Sequence, residues 1–388
     1  MAGINLLDQS IAQCCRSDWL PYNLTESKSD IVSIFNASHL KSDRQTMLTG
    51  EVPVSCNTCV EYERKDIVIQ NQLLDSRKNI VHSTDTQSQL PPRIDFVLHN
   101  FCNLTCIYCG PIFSSSWTKE IKENGEYKVG KTISIKDIVK TNLSFVDFDK
   151  STSFNILKQL VEHNDFVNVK TITLLGGEPL INPHLLDVVN IILDNNPTVK
   201  LYITTGLGVS DRTFYATIEK LKQLDKRNQI NINVSAETTG EIFEFIRSGI
   251  KWDDFQSKLK HLVTSFTPDR ISIMMVLFIL GLPDYKNFLL YIKGLGLDPK
   301  LVQFGYLEDP PYLSLLSFDS SITKPYIDEL LATDLLSDEL RRTLISTLAT
   351  QVSDTTLNAQ FINYITEFAD RRNLDINIFP ENYLKINT

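Results

Sequence analysis

The sequence predicts an α/β protein built on an open, partial (β/α)6 TIM-like barrel, with a cysteine-bearing N-terminal segment and a C-terminal helical extension. From Arg93 onward, short apolar runs of strand character alternate with longer stretches of helical periodicity. Such alternation implies a parallel sheet joined by right-handed crossovers. Six strand-like runs occur, fewer than the eight of a closed barrel, so the sheet is expected to stay open.

Residues 1–90 read as irregular and partly helical, with a helix over 40–48 closed by Gly50 and by Pro53 beyond it. Residues 70–89 are polar and end at Pro91-Pro92, a linker boundary. Strands are expected at 94–99, 171–175, 199–204, 230–235, 271–278 and 301–304. Helices are expected between them at 154–163, 184–195, 211–224, 252–266 and 285–295. The first crossover is unusually long, and residues 117–150, rich in Lys, Ser and Asp, read as an insertion on the substrate side. Residues 320–388 read as helices followed by a final short strand at 374–379. The chain thus divides into a segment 1–90, a barrel 91–310 and an extension 311–388.

Composition narrows the partners. A hydrophobic content of 42% and a charged content of 22% are those of a folded soluble chain. The formal net charge of -9 argues against a general phosphate-binding surface, so no nucleic-acid partner is expected. The longest apolar run, 271–282, is too short to span a bilayer, and the N-terminus lacks the pattern of a secretory signal. The expected location is cytoplasmic, with no membrane partner. In that compartment, clustered cysteines point to metal binding or catalysis before disulfides.

All seven cysteines fall in the first 109 residues: Cys14, Cys15, Cys56, Cys59, Cys102, Cys106 and Cys109. The last three lie in Asn100-Phe101-Cys102-Asn103-Leu104-Thr105-Cys106-Ile107-Tyr108-Cys109-Gly110, directly after the first predicted strand. In a parallel α/β barrel that is the end where active sites are built. Three thiolates within eight residues can wrap one face of an iron–sulfur cubane and leave one iron open. Zinc, which would take a fourth ligand such as His99, and packed structural cysteines are the alternatives.

This CxxxCxxC loop resembles the signature of the radical S-adenosylmethionine (SAM) superfamily. The second strand ends in Gly176-Gly177-Glu178-Pro179, similar to that family's GGEP motif. The resemblance implies a partial (β/α)6 barrel and a [4Fe–4S] cluster on Cys102, Cys106 and Cys109. It implies that the open iron chelates SAM, that one electron cleaves it to a 5′-deoxyadenosyl radical, and that this radical abstracts a hydrogen atom from the substrate. It also implies a flavodoxin- or ferredoxin-type electron donor. SAM contacts are expected at Tyr108, Gly176, Gly177, Glu178, Thr205, Ser235, Glu237 and Arg247. Among these, Tyr108 is expected beside the adenine, Ser235 and Glu237 share one side of a strand end by their alternate spacing, and Arg247 matches a family arginine that pairs with the SAM carboxylate.

The earlier cysteines, Cys14-Cys15 and Cys56-Asn57-Thr58-Cys59, resemble SPASM/twitch segments that hold an auxiliary [4Fe–4S] or [2Fe–2S] cluster. In most relatives that segment follows the barrel; here it precedes it. Cys56 and Cys59 with one or both of Cys14 and Cys15 are the expected ligands, a structural zinc site or unligated thiols being the alternatives. The implied function is hydrogen abstraction from a peptide or amino-acid-derived substrate. A dehydrogenase or rearrangement enzyme acting on an aminosugar or other small metabolite is the second reading. A non-catalytic metal-binding homologue is a third, of a different class. No general base or other catalytic residue beyond the cluster is assigned.

Overall fold

A computed structural model describes residues 2–5, 10–12, 20–21, 35–71, 90–129 and 152–386. Nine strands are present among them: β1 Ala2–Asn5, β2 Ser10–Ala12, β3 Leu20–Pro21, β4 Arg93–Val97, β5 Thr171–Leu175, β6 Lys200–Thr205, β7 Ile230–Ser235, β8 Ile271–Leu277 and β9 Gln303–Tyr306. Strands β4 to β9 are the six expected barrel strands, and the fold is the open parallel sheet of a partial (β/α)6 barrel with a helical C-terminal region. The chain forms two compact units, one of Met1–Val60, Leu74–Cys102 and Val139–Asn233, the other of Glu61–Leu73, Asn103–Ile138 and Val234–Thr388.

In the first unit the strand order is β3-β2-β1-β4-β5-β6-β7. The pairs β4–β5 and β5–β6 are parallel, with Asp95 opposite Thr173 and Thr173 opposite Tyr202. One sheet face carries Ile94, Phe96, Ile172, Leu174, Leu201, Ile203, Ile230 and Ile232, all fully buried. Helices Leu185–Asn195 and Asp211–Leu224 bury complementary stripes, Val188, Val189, Ile192 and Leu193 on one and Phe214, Ile218 and Leu221 on the other. Ser210 caps the second helix by accepting from Thr213 N at 3.3 Å. The opposite sheet face is polar: Asp95, Thr173, Tyr202, Thr204, Asn231 and Asn233 alternate with the aliphatic set.

The first three strands depart from the sequence expectation. β1 pairs parallel with β4 and antiparallel with β2, extending the sheet on its first edge. They run to only four, three and two residues, too short to carry a period.

The second unit holds β8 and β9. Ala236 N donates to Met274 O at 3.0 Å, and β8 and β9 pair in parallel. The outer edge of β9 is covered by residues 69–71. Tyr306 N donates to Ile69 O at 2.7 Å, Phe304 N donates to Asn71 Oδ1 at 3.0 Å, and Gln70 bridges Gly305. Covering the edge removes a row of unpaired backbone groups. Helix Gly240–Ile246, absent from the sequence expectation, lies between β7 and helix Trp252–Ser265. Its start is held by Asp284, whose Oδ2 accepts from the Thr239 amide at 2.5 Å and hydroxyl at 2.8 Å.

Helices Ser320–Leu331, Asp338–Thr350 and Thr355–Arg372 form the C-terminal region, with buried stripes that include Ile327, Leu330, Leu344, Phe361, Ile365 and Phe368. The strand expected at 374–379 is instead a 3-10 turn, Ile376–Ile378, because Asp375 accepts from Asn377 N at 2.9 Å and bends the chain. The strand expected at 301–304 starts later, since Asp298 caps a turn over Pro299–Leu301 and leaves Leu301 exposed. Of the expected insertion, residues 115–124 form a helix and 130–150 lie outside the described residues, as do 72–89 of the expected linker.

Candidate active site

β4 delivers the chain to the cysteine loop, and in the first unit the turn after β5 lies flat against the approach to Cys102. Leu98 N donates to Leu175 O, Gly177 N to His99 O and Glu178 N to Phe101 O, at 2.9, 2.7 and 2.7 Å. Both glycines are required by this contact. A Cβ on Gly177 would sit 2.2 Å from Phe101 O, and one on Gly176, whose φ is +144°, would sit 2.4 Å from His99 O. The close approach made by Gly176 and Gly177 is therefore to the cysteine loop's own backbone.

Glu178 is buried and its carboxylate stitches two turns together. Oε1 accepts from the Thr205 hydroxyl at 2.8 Å and from Leu180 N at 3.1 Å, while Oε2 accepts from Gly206 N at 2.9 Å. Burial pushes its pKa up, and these donors pull it back in part. The Thr205 hydroxyl also accepts from Leu207 N at 2.9 Å, so both side chains are used within the protein.

His99 Nδ1 accepts from Phe101 N at 2.9 Å, which leaves the proton of the neutral ring on Nε2. Burial lowers its pKa to about 4. Its Nε2 is a buried atom with no partner among the described residues, as are Thr173 Oγ1 and Asn233 Oδ1 on the polar sheet face.

In the second unit, the rest of the loop pairs with the chain leaving helix Gly240–Ile246. Thr105 N donates to Ser248 O at 2.8 Å and Ile107 N to Ile246 O at 2.9 Å. Gly249, at φ +115°, allows this fit, since a Cβ there would lie 2.8 Å from Asn103 O. The same pairing sets Arg247 beside the loop. Its Nη2 donates to Glu237 Oε2 and to the Tyr108 hydroxyl, both at 2.7 Å, and its Nη1 lies 4.0 Å from Cys106 Sγ. The Tyr108 hydroxyl donates to Glu237 Oε1 at 3.0 Å, and its ring meets Phe278 edge-on at 5.2 Å.

Glu237 and Arg247 form a buried ion pair. Burial by itself would lower the Arg247 pKa, but the Glu237 carboxylate together with Tyr108 and Cys106 outweighs it and holds the guanidinium firmly charged. Burial pushes the Tyr108 phenol well above its ordinary range, so it stays a donor. A fixed cation beside Cys106 favours the thiolate, the form that ligates metal. Arg247 Nε is a buried donor with no partner among the described residues. Ser235, at the end of β7, is half-buried.

This chemistry fits an iron–sulfur cluster. Cys102, Cys106 and Cys109 share one loop, none of the five described cysteines is in a disulfide, and the loop backbone is fixed. Among the described residues no three His, Cys, Asp or Glu side chains converge as they would on one ion. Thiolates that each bind a different iron of a cubane need no such convergence.

The structure thus brings together Gly176, Gly177, Glu178 and Thr205 in the first unit, and Tyr108, Glu237, Arg247 and Cys106 in the second. Cys56 and Cys59 lie on a 3-10 turn, Val54–Cys56, running into helix Asn57–Arg64, with Cys59 buried. Cys14 and Cys15 lie outside the described residues. Sequence reasoning gave no role to Trp117, Tyr364 or Arg372, which touch the cysteine loop; no motif marks the last two. Trp117 Nε1 donates to Cys106 O at 3.0 Å, Tyr364 to Ile107 O at 2.6 Å and Arg372 Nε to Thr105 Oγ1 at 3.1 Å.

Among the described residues no helix is long and apolar enough to cross a membrane. No curated protein matches the chain. Among solved structures, it is similar to Streptococcus suis SuiB bound to S-adenosylmethionine, with 12% identity over 84% of this chain and 67% of that one, at a TM-score of 0.38. A second structure of Streptococcus suis SuiB shares 14% identity over 81% and 67%, at a TM-score of 0.40. A structure of TYW1 with a lysine-pyruvate adduct bound shares 14% identity over 46% and 52%, at 0.24. The family model of the radical SAM superfamily matches residues 96–287, from within β4 to the helix that follows β8, and so encloses the cysteine loop and the Glu237–Arg247 pair. The chain carries a radical SAM domain.

Proposed function

We propose that this protein is a radical SAM enzyme acting on a peptide or amino-acid-derived substrate, with an auxiliary cluster assisting. The observation that carries the first part is the buried Arg247–Glu237–Tyr108 set beside Cys106, within a domain that implies a [4Fe–4S] cluster and SAM. Cys102, Cys106 and Cys109 hold the cluster. With SAM bound, that group supplies a reductively generated 5′-deoxyadenosyl radical able to take hydrogen from an unactivated carbon.

The residues prepare the place for it. Arg247 offsets thiolate charge at Cys106 and presents a buried, unsatisfied Nε donor to a carboxylate. Glu237 and Tyr108 fix that guanidinium. Glu178 and Thr205 hold the turns after β5 and β6 rigid, so the edge at Gly176-Gly177 keeps its shape. Ser235 at the end of β7 adds a hydroxyl for a polar contact. Cys56 and Cys59, with one or both of Cys14 and Cys15, hold the auxiliary cluster, and a flavodoxin- or ferredoxin-type protein supplies the electron. Support for a peptide substrate is the cysteine-bearing N-terminal segment.

The test is SAM cleavage by anaerobically reconstituted, dithionite-reduced protein, read as 5′-deoxyadenosine and methionine. Wild-type protein is expected to release both, and Cys102→Ala and Cys109→Ala neither. Cleavage retained in either variant contradicts the assignment. A panel of peptides against aminosugars, read as faster SAM consumption, decides the substrate class.

A further inference from the structure

The loop from Cys102 to Cys109 has no regular secondary structure, so its backbone polar groups need partners from elsewhere. Three carbonyls find them on side chains: Leu104 O accepts from Ser114 Oγ at 2.7 Å, Cys106 O from Trp117 Nε1 at 3.0 Å and Ile107 O from the Tyr364 hydroxyl at 2.6 Å. Tyr364 is 257 residues beyond the group it holds, on helix Thr355–Arg372. It is fully buried, and burial keeps its phenol protonated and donating.

The same helix ends at Arg372, whose Nε donates to Thr105 Oγ1 at 3.1 Å. Its guanidinium lies 4.9 Å from the Trp117 ring and 3.7 Å from the Phe368 ring. Glu120 and the Tyr127 hydroxyl, the latter at 2.7 Å, hold the guanidinium from the other side. The helix therefore grips the loop twice, at Ile107 through Tyr364 and at Thr105 through Arg372.

We propose that Tyr364 and Arg372 are positioning residues for the loop that holds the cluster. The proposal rests on the functional reading above. Ile107 sits between two of the proposed iron ligands, and both of its backbone groups are tied, the amide to Ile246 O and the carbonyl to Tyr364. With both tied, the peptides flanking Ile107 cannot rotate, and the directions of Cys106 and Cys109 are set. Without the Tyr364 hydroxyl, the Ile107 carbonyl is left needing a partner, and a peptide rotation that finds one re-aims Tyr108 and Cys109. Partners of metal ligands typically matter about 10–100-fold in metal retention or activity. Tyr364 and Arg372 act through the loop and touch no proposed ligand atom.

The experiment uses full-length, anaerobically reconstituted protein as wild type, Tyr364→Phe, Arg372→Met and Phe361→Leu. Phe361 is a control on the same helix; it is buried against Phe318, with ring centroids 5.0 Å apart. Two readouts are taken: the shape of the SAM-responsive electron paramagnetic resonance signal, and its decay rate in excess iron chelator. Tyr364→Phe is expected to decay ~10-fold faster with an altered line shape. Arg372→Met is expected to shift both in the same direction by less. Phe361→Leu is expected to lower the unfolding midpoint and leave both readouts unmoved. Wild-type behaviour in both Tyr364→Phe and Arg372→Met overturns the proposal, as does decay in Phe361→Leu as fast as in Tyr364→Phe. A wild-type protein with no SAM-responsive signal overturns instead the functional reading on which it rests.

Discussion

The two cysteine regions of this chain are built in opposite ways. Around Cys106 and Cys109, backbone groups of Leu104, Thr105, Cys106 and Ile107 each bond to protein, and a buried ion pair adjoins the thiol. Around Cys56 and Cys59, a short turn and one helix carry the thiols, and the Ser55 hydroxyl next to Cys56 donates to Asp43 Oδ2 at 2.7 Å. Its neighbours Val52 and Val54 are exposed. A loop whose backbone is held by the rest of the protein is suited to exacting chemistry, since it aims the groups it carries. Cys59 is buried on its helix, and Cys56 is half-buried with its Sγ 4.0 Å from the Ser55 hydroxyl.

The largest test of that contrast removes a thiol from each region. Cys106→Ala is expected to abolish SAM cleavage and lower iron by about four atoms per chain. Cys59→Ala is expected to lower iron and leave SAM cleavage intact. Equal loss of cleavage in both variants breaks the contrast, because the two regions would then form one centre.

Next comes the ion pair. Arg247→Met leaves Glu237 buried without its cation, at a cost of about 3–5 kcal/mol in chemical denaturation. A cost under about 1 kcal/mol would mean that solvent reaches Glu237 and that the site is less enclosed than described.

Glycine contacts give a smaller effect with its own control. Gly177→Ala forces the chain at Phe101 to move and is expected to cost about 1–3 kcal/mol with reduced iron retention. Gly110 has open space around its missing Cβ, so Gly110→Ala is expected to stay within about 0.5 kcal/mol. Equal effects would sink the reading of Gly177.

A pH dependence at His99 is read as a slope and not as a single difference. Its pKa falls from 6.5 in the unfolded chain to about 4 in the fold, so between those values the unfolded state binds more protons. Its contribution is whole above pH 6.5 and declines as pH falls toward 4, by at most about 1.4 kcal/mol per unit. Subtracting the denaturation profile of His99→Gln from that of wild type isolates this slope; a flat difference over the window contradicts a buried, neutral His99.

Much of this was legible in the residues. Five of the six barrel strands begin within one residue of their expected start, and those five are recognisable as buried aliphatic runs. Their fully buried faces impose an alternation that survives in a single sequence. Residues 374–379 alternate in the same way yet turn, because Asp375 and Asn377 offer the backbone a local hydrogen bond in place of a ladder. Candidate residues at the loop followed from motif spacing. Their mutual bonds did not, since Tyr108, Glu237 and Arg247 meet only after the chain has folded over more than a hundred residues. Tyr364 and Arg372 had no signal, because an ordinary amphipathic helix carries them.

The most direct test of the central claim is electron paramagnetic resonance of the anaerobically reconstituted, reduced protein before and after SAM is added, with iron and sulfide counted on the same sample. About eight irons with one signal that shifts on SAM addition is the predicted result; about four with a shifting signal keeps the radical SAM site and removes the auxiliary cluster. Zinc without iron, or a reduced cluster whose signal ignores SAM, would contradict the account.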